Sequence, residues 1–386
     1  MKTVAIVGGG VDGLGIARQI GLDFPDTEIV LFERNRTLGS ELSEHNSGVI
    51  HAGLYYTPGS FKDMFCAIGN KLLKEYCAQR GVPVANTGKY IVATDGSQVF
   101  TLEQLALTAK RHDIPVEFLT EEQVYNGSEQ RDAFPQVRCF SALYVKSTAL
   151  IDQGALIRAL AEDFEYSNPD KTRVALTRAT VTAIEGSGPY TVHFTEQNGQ
   201  DTFAADVIIN AAGVNATRIA SLAGFPHYSK DLNLVQGRYW TTLAFPNRTP
   251  VYPVPTEHSL GLHYTPVLGG AHALLGPSVR VLQSNNPEEL PADAWITPDS
   301  EEEREIFHRE VSRYLDGVSL DSLRPDMAGV RPQQLGPKAK RDFVMVDEHA
   351  SGKPGFINCL FNESPGLTSV LPRAQYVSSL ARRYLE

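Results

Sequence analysis

The chain has 386 residues, 42% hydrophobic and 21% charged, the make-up of an ordinary globular protein with length for about two domains. With 35 basic against 45 acidic side chains the net charge is −10, which argues against a nucleic-acid-binding surface, and no run approaches the ~20 apolar residues of a membrane span. The four cysteines, Cys66, Cys77, Cys139 and Cys359, form no Cys-x-x-Cys pair. No zinc or other metal site and no thioredoxin-type centre is therefore expected, and all four thiols are read as reduced and mostly buried in a cytoplasmic protein.

The first predicted element is the apolar strand Val4-Ala5-Ile6-Val7, which runs directly into Gly8-Gly9-Gly10-Val11-Asp12-Gly13. It starts so close to Met1 that no secretory signal is expected ahead of it. Gly8, Gly10 and Gly13 satisfy G-x-G-x-x-G. The first permits a tight turn, the second lets backbone approach a pyrophosphate, and the third lets the following helix pack on the strand. Leu14, Ile16, Ala17 and Ile20 carry the helical pattern. A second apolar run, Glu28 to Phe32, ends in Glu33, 20 residues after Gly13, where a carboxylate can accept hydrogen bonds from a ribose diol. These features predict a dinucleotide-binding βαβ unit. Asp12 fits it least: a carboxylate facing a pyrophosphate repels it, so this side chain is expected to point away.

A glycine- and histidine-rich stretch follows, and then Phe61 to Arg80 shows helical spacing that places Cys66 and Cys77 on one apolar face, with Gly81 and Pro83 ending it. Further on, strands are predicted over 88–94 and 140–145, with helices over 102–111 and from Glu121. Asp152 reads as the N-cap of a helix over 155–164. Strands are predicted over 174–184, 190–194 and 203–210, the last continuously apolar and ending in Ala211-Ala212-Gly213, where small residues admit a ligand. Residues 228–283 read as an antiparallel sheet. After a Pro-rich loop, Ser300 and Glu303 have capping-box spacing. Strands at 326–333, 343–346 and 356–360 precede a final helix from near Gly366. Pro372 is tolerated only in a first turn, which allows that helix to start later.

The most informative run is Ser43-Glu44-His45-Asn46-Ser47-Gly48-Val49-Ile50-His51-Ala52-Gly53-Leu54-Tyr55-Tyr56. It resembles the flavin-contacting segment of the D-amino-acid-oxidase-like FAD superfamily, and its wording is similar to that of L-2-hydroxyglutarate dehydrogenases and oxidases. The resemblance continues through Gly261-Leu262-His263-Tyr264-Thr265-Pro266, Leu275-Gly276-Pro277, Ala328-Gly329-Val330-Arg331-Pro332 and Glu363-Ser364-Pro365-Gly366-Leu367-Thr368.

The resemblance implies an α/β fold, α+β overall. A Rossmann-like FAD-binding domain would comprise residues 1–81, 150–225 and 326–386, and an inserted antiparallel-sheet substrate domain 82–149 and 226–325. It implies FAD, with Gly8, Gly10 and Gly13 on the pyrophosphate, Glu33 on the adenosine ribose, Arg34 beside it, and Val181 meeting the adenine side. Near the flavin it places Ser43, Asn46, Ser47, Ala212, Gly213 and the turn Gly366-Leu367-Thr368. A helix N-terminus at Gly366 would stabilise negative charge on the flavin pyrimidine. The implied reaction is oxidation of a 2-hydroxy acid by hydride transfer to flavin N5, with L-2-hydroxyglutarate as the first substrate. Glycine- or sarcosine-type amine oxidation and glycerol 3-phosphate oxidation belong to the same superfamily. An NAD-dependent dehydrogenase and a catalytically silent flavoprotein are readings from other classes. An arginine fork grips a carboxylate through two hydrogen bonds, which suits Arg331. Histidine titrates near neutrality, which makes His51 the first and His263 the second candidate base; His258 has no motif around it. Tyr55, Tyr56 and Tyr264 are candidates to line the substrate pocket. The partners expected are a small-molecule carboxylate and oxygen or a quinone as electron acceptor, with at most a peripheral contact at the inner membrane face.

Overall fold

The computed structural model of the chain describes every residue except 130, 167, 169, 256–260 and 338–340. His258 lies outside the described residues.

The glycine-rich start builds the centre of a six-stranded sheet. Thr3–Val7 lies between Val207–Asn210 and Glu28–Glu33, with Arg173–Thr177 beyond the latter and Phe356–Leu360 and Val344–Asp347 on the other side. All neighbours are parallel except the edge strand Val344–Asp347. These strands read as continuous apolar runs because both faces are covered. One face carries the helices Val11–Asp23, Gln153–Glu165 and Val370–Leu385, whose Leu14, Ile16, Leu156, Leu160, Val377 and Ala381 interlock over Val4, Ile6, Leu31 and Ile209. The other face is covered by a three-stranded antiparallel sheet, Thr180–Gly186, Tyr190–Glu196 and Gly199–Ala205, through Val181, Val192 and Phe194. Each fully buried side chain of Leu or Phe size contributes on the order of 1.5–3 kcal/mol.

Two expected strands are each divided. The run 174–184 becomes Arg173–Thr177 in the parallel sheet and Thr180–Gly186 in the antiparallel one. The chain turns between them at Arg178, with φ of 58°, as Arg178 and Ala179 donate to the carbonyls of Asn35 and Glu33. The run 203–210 divides at Asp206, which caps the start of the first strand by accepting from the Thr3 N–H at 2.9 Å. Both breaks occur where one chain serves two sheets, a tertiary decision that apolar periodicity cannot carry.

The helix predictions hold closely. Phe61–Arg80 starts at the Ser60 cap and stops at Gly81, and all four cysteines are free and buried. Asp152 caps Gln153–Glu165 by accepting from the Ala155 N–H at 2.7 Å. The final helix starts at Val370 rather than Gly366, so Pro372 falls in its first turn and the Gly366-Leu367-Thr368 segment is a turn, not a helix N-terminus.

A nine-stranded sheet, mostly antiparallel, runs in the order Arg280–Val281, Leu232–Leu243, His272–Gly276, His263–Pro266, Val251–Pro253, Tyr90–Ala93, Ser141–Val145 and Val116–Thr120, with Arg324–Gln334 also pairing to Leu232–Leu243. One side of it packs on the helix Glu301–Val311 through Trp240, Tyr264, Phe307 and Tyr314. Its other face carries His263, Tyr252 and Arg331 toward the carboxyl edge of the parallel sheet.

Candidate active site

A cavity of about 690 Å³ lies between the glycine loop and the face of the nine-stranded sheet, within the range of small-molecule sites. At the loop end the backbone decides the shape. Gly8 has a φ of 114°, open to glycine at no cost, and a Cβ there would stand 2.3 Å from the Ala211 carbonyl. A Cβ on Gly13 would stand 1.8 Å from the Gly8 carbonyl, so only glycine lets the helix lie this close to the strand. The Glu33 carboxylate accepts from the Gly9 N–H at 2.8 Å and the Asn35 N–H at 2.7 Å. Burial pushes its pKa up, against the pull of those two N–H groups. Ser43 Oγ accepts from the Val11 N–H at 3.0 Å, and Asn46 holds its own loop by accepting from Gly48 and donating to the Ser43 and Leu42 carbonyls.

Two segments far apart in sequence meet at the middle of the cavity. The His51 N–H donates to Thr368 Oγ1 at 3.0 Å, and the His51 carbonyl accepts from Asn70 Nδ2 at 3.0 Å. Enclosure, and then the nearby positive charge of Lys89, lower the His51 pKa to about 3, so the imidazole stands neutral. His263 is buried and stacks on Tyr252 with centroids 3.5 Å apart and planes 10° from parallel. Arg331 comes from Arg324–Gln334 beside Gly237, and its Nε has no hydrogen-bond partner. Tyr239 and Tyr252 lie near Ser47 on the cavity wall, and Tyr239 also lies beside Arg331. At the remaining wall, Lys62 pairs with Glu363 at 2.8 Å, both nearly buried, and Gln333 donates to the same carboxylate at 3.2 Å. The arrangement brings a cationic fork and two imidazoles within one enclosure reached by the glycine loop.

Residues 3–380 match the family described as FAD dependent oxidoreductase. The chain belongs to that family. Among its relatives, L-2-hydroxyglutarate dehydrogenase of Escherichia coli strain K12 is 27% identical over 417 residues, covering 100% of this chain and 94% of that protein. The mitochondrial L-2-hydroxyglutarate dehydrogenase of Arabidopsis thaliana is 28% identical, covering 97% of this chain and 82% of its own length. Among solved structures, L-alpha-glycerophosphate oxidase from Mycoplasma pneumoniae with FAD bound superposes with a TM-score of 0.82 at 24% identity, covering 99% of this chain and 95% of that one. Glycine oxidase from Geobacillus kaustophilus gives 0.76 at 19% identity, with coverage of 99% and 95%. As a member of this family the protein is an FAD-dependent oxidoreductase.

The cavity fits that cofactor. Each Glu33 oxygen already accepts one backbone N–H and keeps a lone pair for a diol, and Ser43 Oγ, having accepted from Val11, keeps its proton to donate. Of the residues expected at the cofactor, Gly8, Gly10, Glu33, Ser43, Asn46, Ser47, Ala212, Gly213, Gly366, Leu367 and Thr368 line the cavity, as do His51, Tyr55, Tyr56, His263 and Arg331. Four expected site residues do not. Gly13 lies under the loop. Arg34 bonds Glu41 and lines a smaller adjoining cleft with Glu288 and Trp295, because the carboxylate on its own side of the chain claims it. The Val181 carbonyl accepts from Arg218 at 3.3 Å and its side chain is core. Tyr264 faces the far side of the sheet, packed on Phe134 and Phe245, with its hydroxyl accepting from the Phe245 N–H.

The placement of Asp12 also sharpens. Its carboxylate pairs with Arg373 at 2.6 Å, so the charge next to the loop is answered by a guanidinium from the last helix, which stacks on Phe343. Sequence reading passed over Arg373, Lys62, Tyr239 and Tyr252. Each belongs to an unremarkable helix or strand pattern, and only strand pairing and helix docking bring Lys62, Tyr239 and Tyr252 to the cavity and Arg373 beside it. Among the described residues no group of three or more His, Cys, Asp or Glu side chains forms a metal site, and none of the helices is long and apolar enough to cross a membrane.

Proposed function

We propose that this protein oxidises a 2-hydroxy acid to the 2-oxo acid, with L-2-hydroxyglutarate converted to 2-oxoglutarate as the first candidate. The observation that carries the reading is the convergence of Arg331, His51 and His263 on the cavity shared with the glycine loop. It is supported by near-full-length similarity to proteins named for that substrate. FAD, when bound, supplies the two-electron acceptor for the hydrogen on C2. Arg331 takes the C1 carboxylate in a two-point grip and so fixes the direction in which C2 faces. His51, neutral in this enclosure, accepts the hydroxyl proton, with His263 as the alternative acceptor or as a dipole beside the hydroxyl. Tyr239 and the Tyr252–His263 stack close the sheet side against water. We further assign 1–81, 150–225 and 326–386 to the cofactor domain and 82–149 and 226–325 to the substrate domain, with oxygen or a quinone as the final electron acceptor.

Anaerobic mixing of the yellow holoprotein with L-2-hydroxyglutarate, its D-enantiomer, glycine and glycerol 3-phosphate tests this. Bleaching of the flavin band near ~450 nm by the L-hydroxy acid alone supports the reading. Bleaching by glycine or glycerol 3-phosphate instead overturns it.

A further inference from the structure

Lys89 is a buried cation that the proposed reaction does not use. Strand register puts it on the cavity side of the nine-stranded sheet. Tyr90 pairs with Val251 and Ile91 with Tyr252, and Tyr90 and Val251 belong to the core on the far side. Alternation therefore turns Lys89, Ile91 and Tyr252 toward the near side. His263 occupies one face of Tyr252 at 3.5 Å, which leaves no space there for another group. The Lys89 ammonium, 4.5 Å from the Tyr252 centroid and 4.8 Å from that of Tyr55, is on the opposite face.

The charge around it is unbalanced. Two other buried cations at or beside the cavity, Lys62 and Arg373, have carboxylates at 2.8 and 2.6 Å. Lys89 is 1% exposed, and among the described residues the acidic group that acts on its charge is the buried Cys66 thiol, with no carboxylate paired to it. The other groups that face it are Tyr55, Tyr252 and the His51 imidazole. Burial lowers its pKa to about 7. Two aromatic faces return only part of the cost of removing an ammonium from water. Tyr55, Tyr252 and His51 line the cavity, and Lys89 stands one ring behind them. An uncompensated positive charge behind a low-dielectric wall attracts an anionic group into the space in front of it.

We propose that Lys89 is the specificity-determining charge for the second carboxylate of a dicarboxylate substrate, which lies at the part of the cavity wall that Tyr55, Tyr252 and His51 line while Arg331 holds the first. This inference rests on the hydroxy-acid reading and says what selects a diacid over a monoacid at the same site. Arg341 is the competing cation. It also lines the cavity, with its Nε donating to the Gly336 carbonyl at 2.9 Å, but it is only half-buried and lies on a loop rather than on the sheet face.

The test uses holoprotein of the wild type, Lys89→Met, Lys89→Gln, Lys89→Arg and Arg341→Met, each titrated with glutarate and with pentanoate while the flavin spectrum is followed. Lys89→Met is expected to weaken glutarate binding by about tenfold or more and pentanoate by less than about twofold, with Lys89→Arg restoring most of the loss. Lys89→Gln supplies the same ratio if the methionine variant does not retain FAD. Equal weakening of both acids would make Lys89 a packing group and overturn the proposal. So would an unchanged ratio, a loss carried by Arg341→Met instead, or a wild type that binds neither acid. If glutarate binds with this dependence on Lys89 while no hydroxy acid bleaches the flavin, the binding inference stands and the reaction reading falls.

Discussion

The two ends of the cavity are built on opposite plans. At the glycine loop the charges are answered within the chain: Glu33 by the Gly9 and Asn35 N–H groups and Asp12 by Arg373, although Asp12 Oδ1 and Arg373 Nε and Nη1 make no hydrogen bond, while Ser43 accepts from Val11. At the sheet face, Arg331 keeps a buried Nε without a hydrogen-bond partner, Lys89 stands between rings with no carboxylate among the described residues paired to it, and His51 is held neutral. The first plan suits an occupant that stays, because the loop holds its shape through backbone and local bonds. The second suits an anion that comes and goes, because the binding groups gain their partners only when it arrives.

Four outcomes test that contrast. The largest is expected at the sheet face: His51→Ala should slow anaerobic flavin reduction by L-2-hydroxyglutarate by about 10²–10⁴-fold without loss of bound FAD. An unchanged rate would move proton removal to His263. At the loop end the effect should fall on stability. Asp12→Asn strands the Arg373 guanidinium, 2% exposed in its side chain, and should cost roughly 3–5 kcal/mol in denaturant unfolding. A double replacement, Asp12→Leu with Arg373→Met, should recover most of it. If the single change is silent, the pair does not hold the loop.

Arg331→Met should lower the efficiency of reduction by about 10–100-fold, on the order of 1.5–3 kcal/mol, mainly through weaker substrate binding. Absorbance at ~450 nm per protein should stay constant, and a fall in FAD content would place Arg331 in the cofactor site instead.

The smallest and most specific outcome is in pH dependence. A histidine of ordinary pKa gives an acid limb near 6.5, but His51 at about 3 gives none there, so kcat/KM should stay level down to pH 5. Lys89, charged below about 7 and neutral above it, should give a decline on the alkaline side for diacids. Stability should follow the same groups. Between pH 6.5 and 3 the unfolded chain binds a proton at His51 that the folded one does not, so the protein should weaken as pH falls through that window. The denaturation midpoint of His51→Gln should depend less on pH there, and an identical dependence would remove the group from the balance.

Much of the glycine-loop end was legible in sequence because its parts are local. Gly8, Gly10 and Gly13, the strand before them, and Glu33 at the end of the next strand all fall within the first 33 residues. Helix limits set by Gly81 and Asp152 were equally readable, since a cap is chosen by neighbours a few residues away. The positions of His51, His263 and Arg331 came from separated motifs, and the fold brings them to one cavity. Tyr264 and His263 are both candidates in the sequence, yet alternation allows only one of these neighbours to face the cavity, and strand register gives that position to His263 and packs Tyr264 in the core.

Local sequence carried the glycine loop, the apolar faces of strands and helices, and the candidate residues. Long-range packing set the rest. It cut two apolar runs between sheets at Arg178 and Asp206, brought Arg373 from the last helix to neutralise Asp12, and set Lys89 behind two tyrosines with no carboxylate among the described residues paired to it. Local spacing fixes which residues can share a strand or a helix turn. Only long-range pairing fixes which charges meet, and that pairing is what separates the two ends of this cavity.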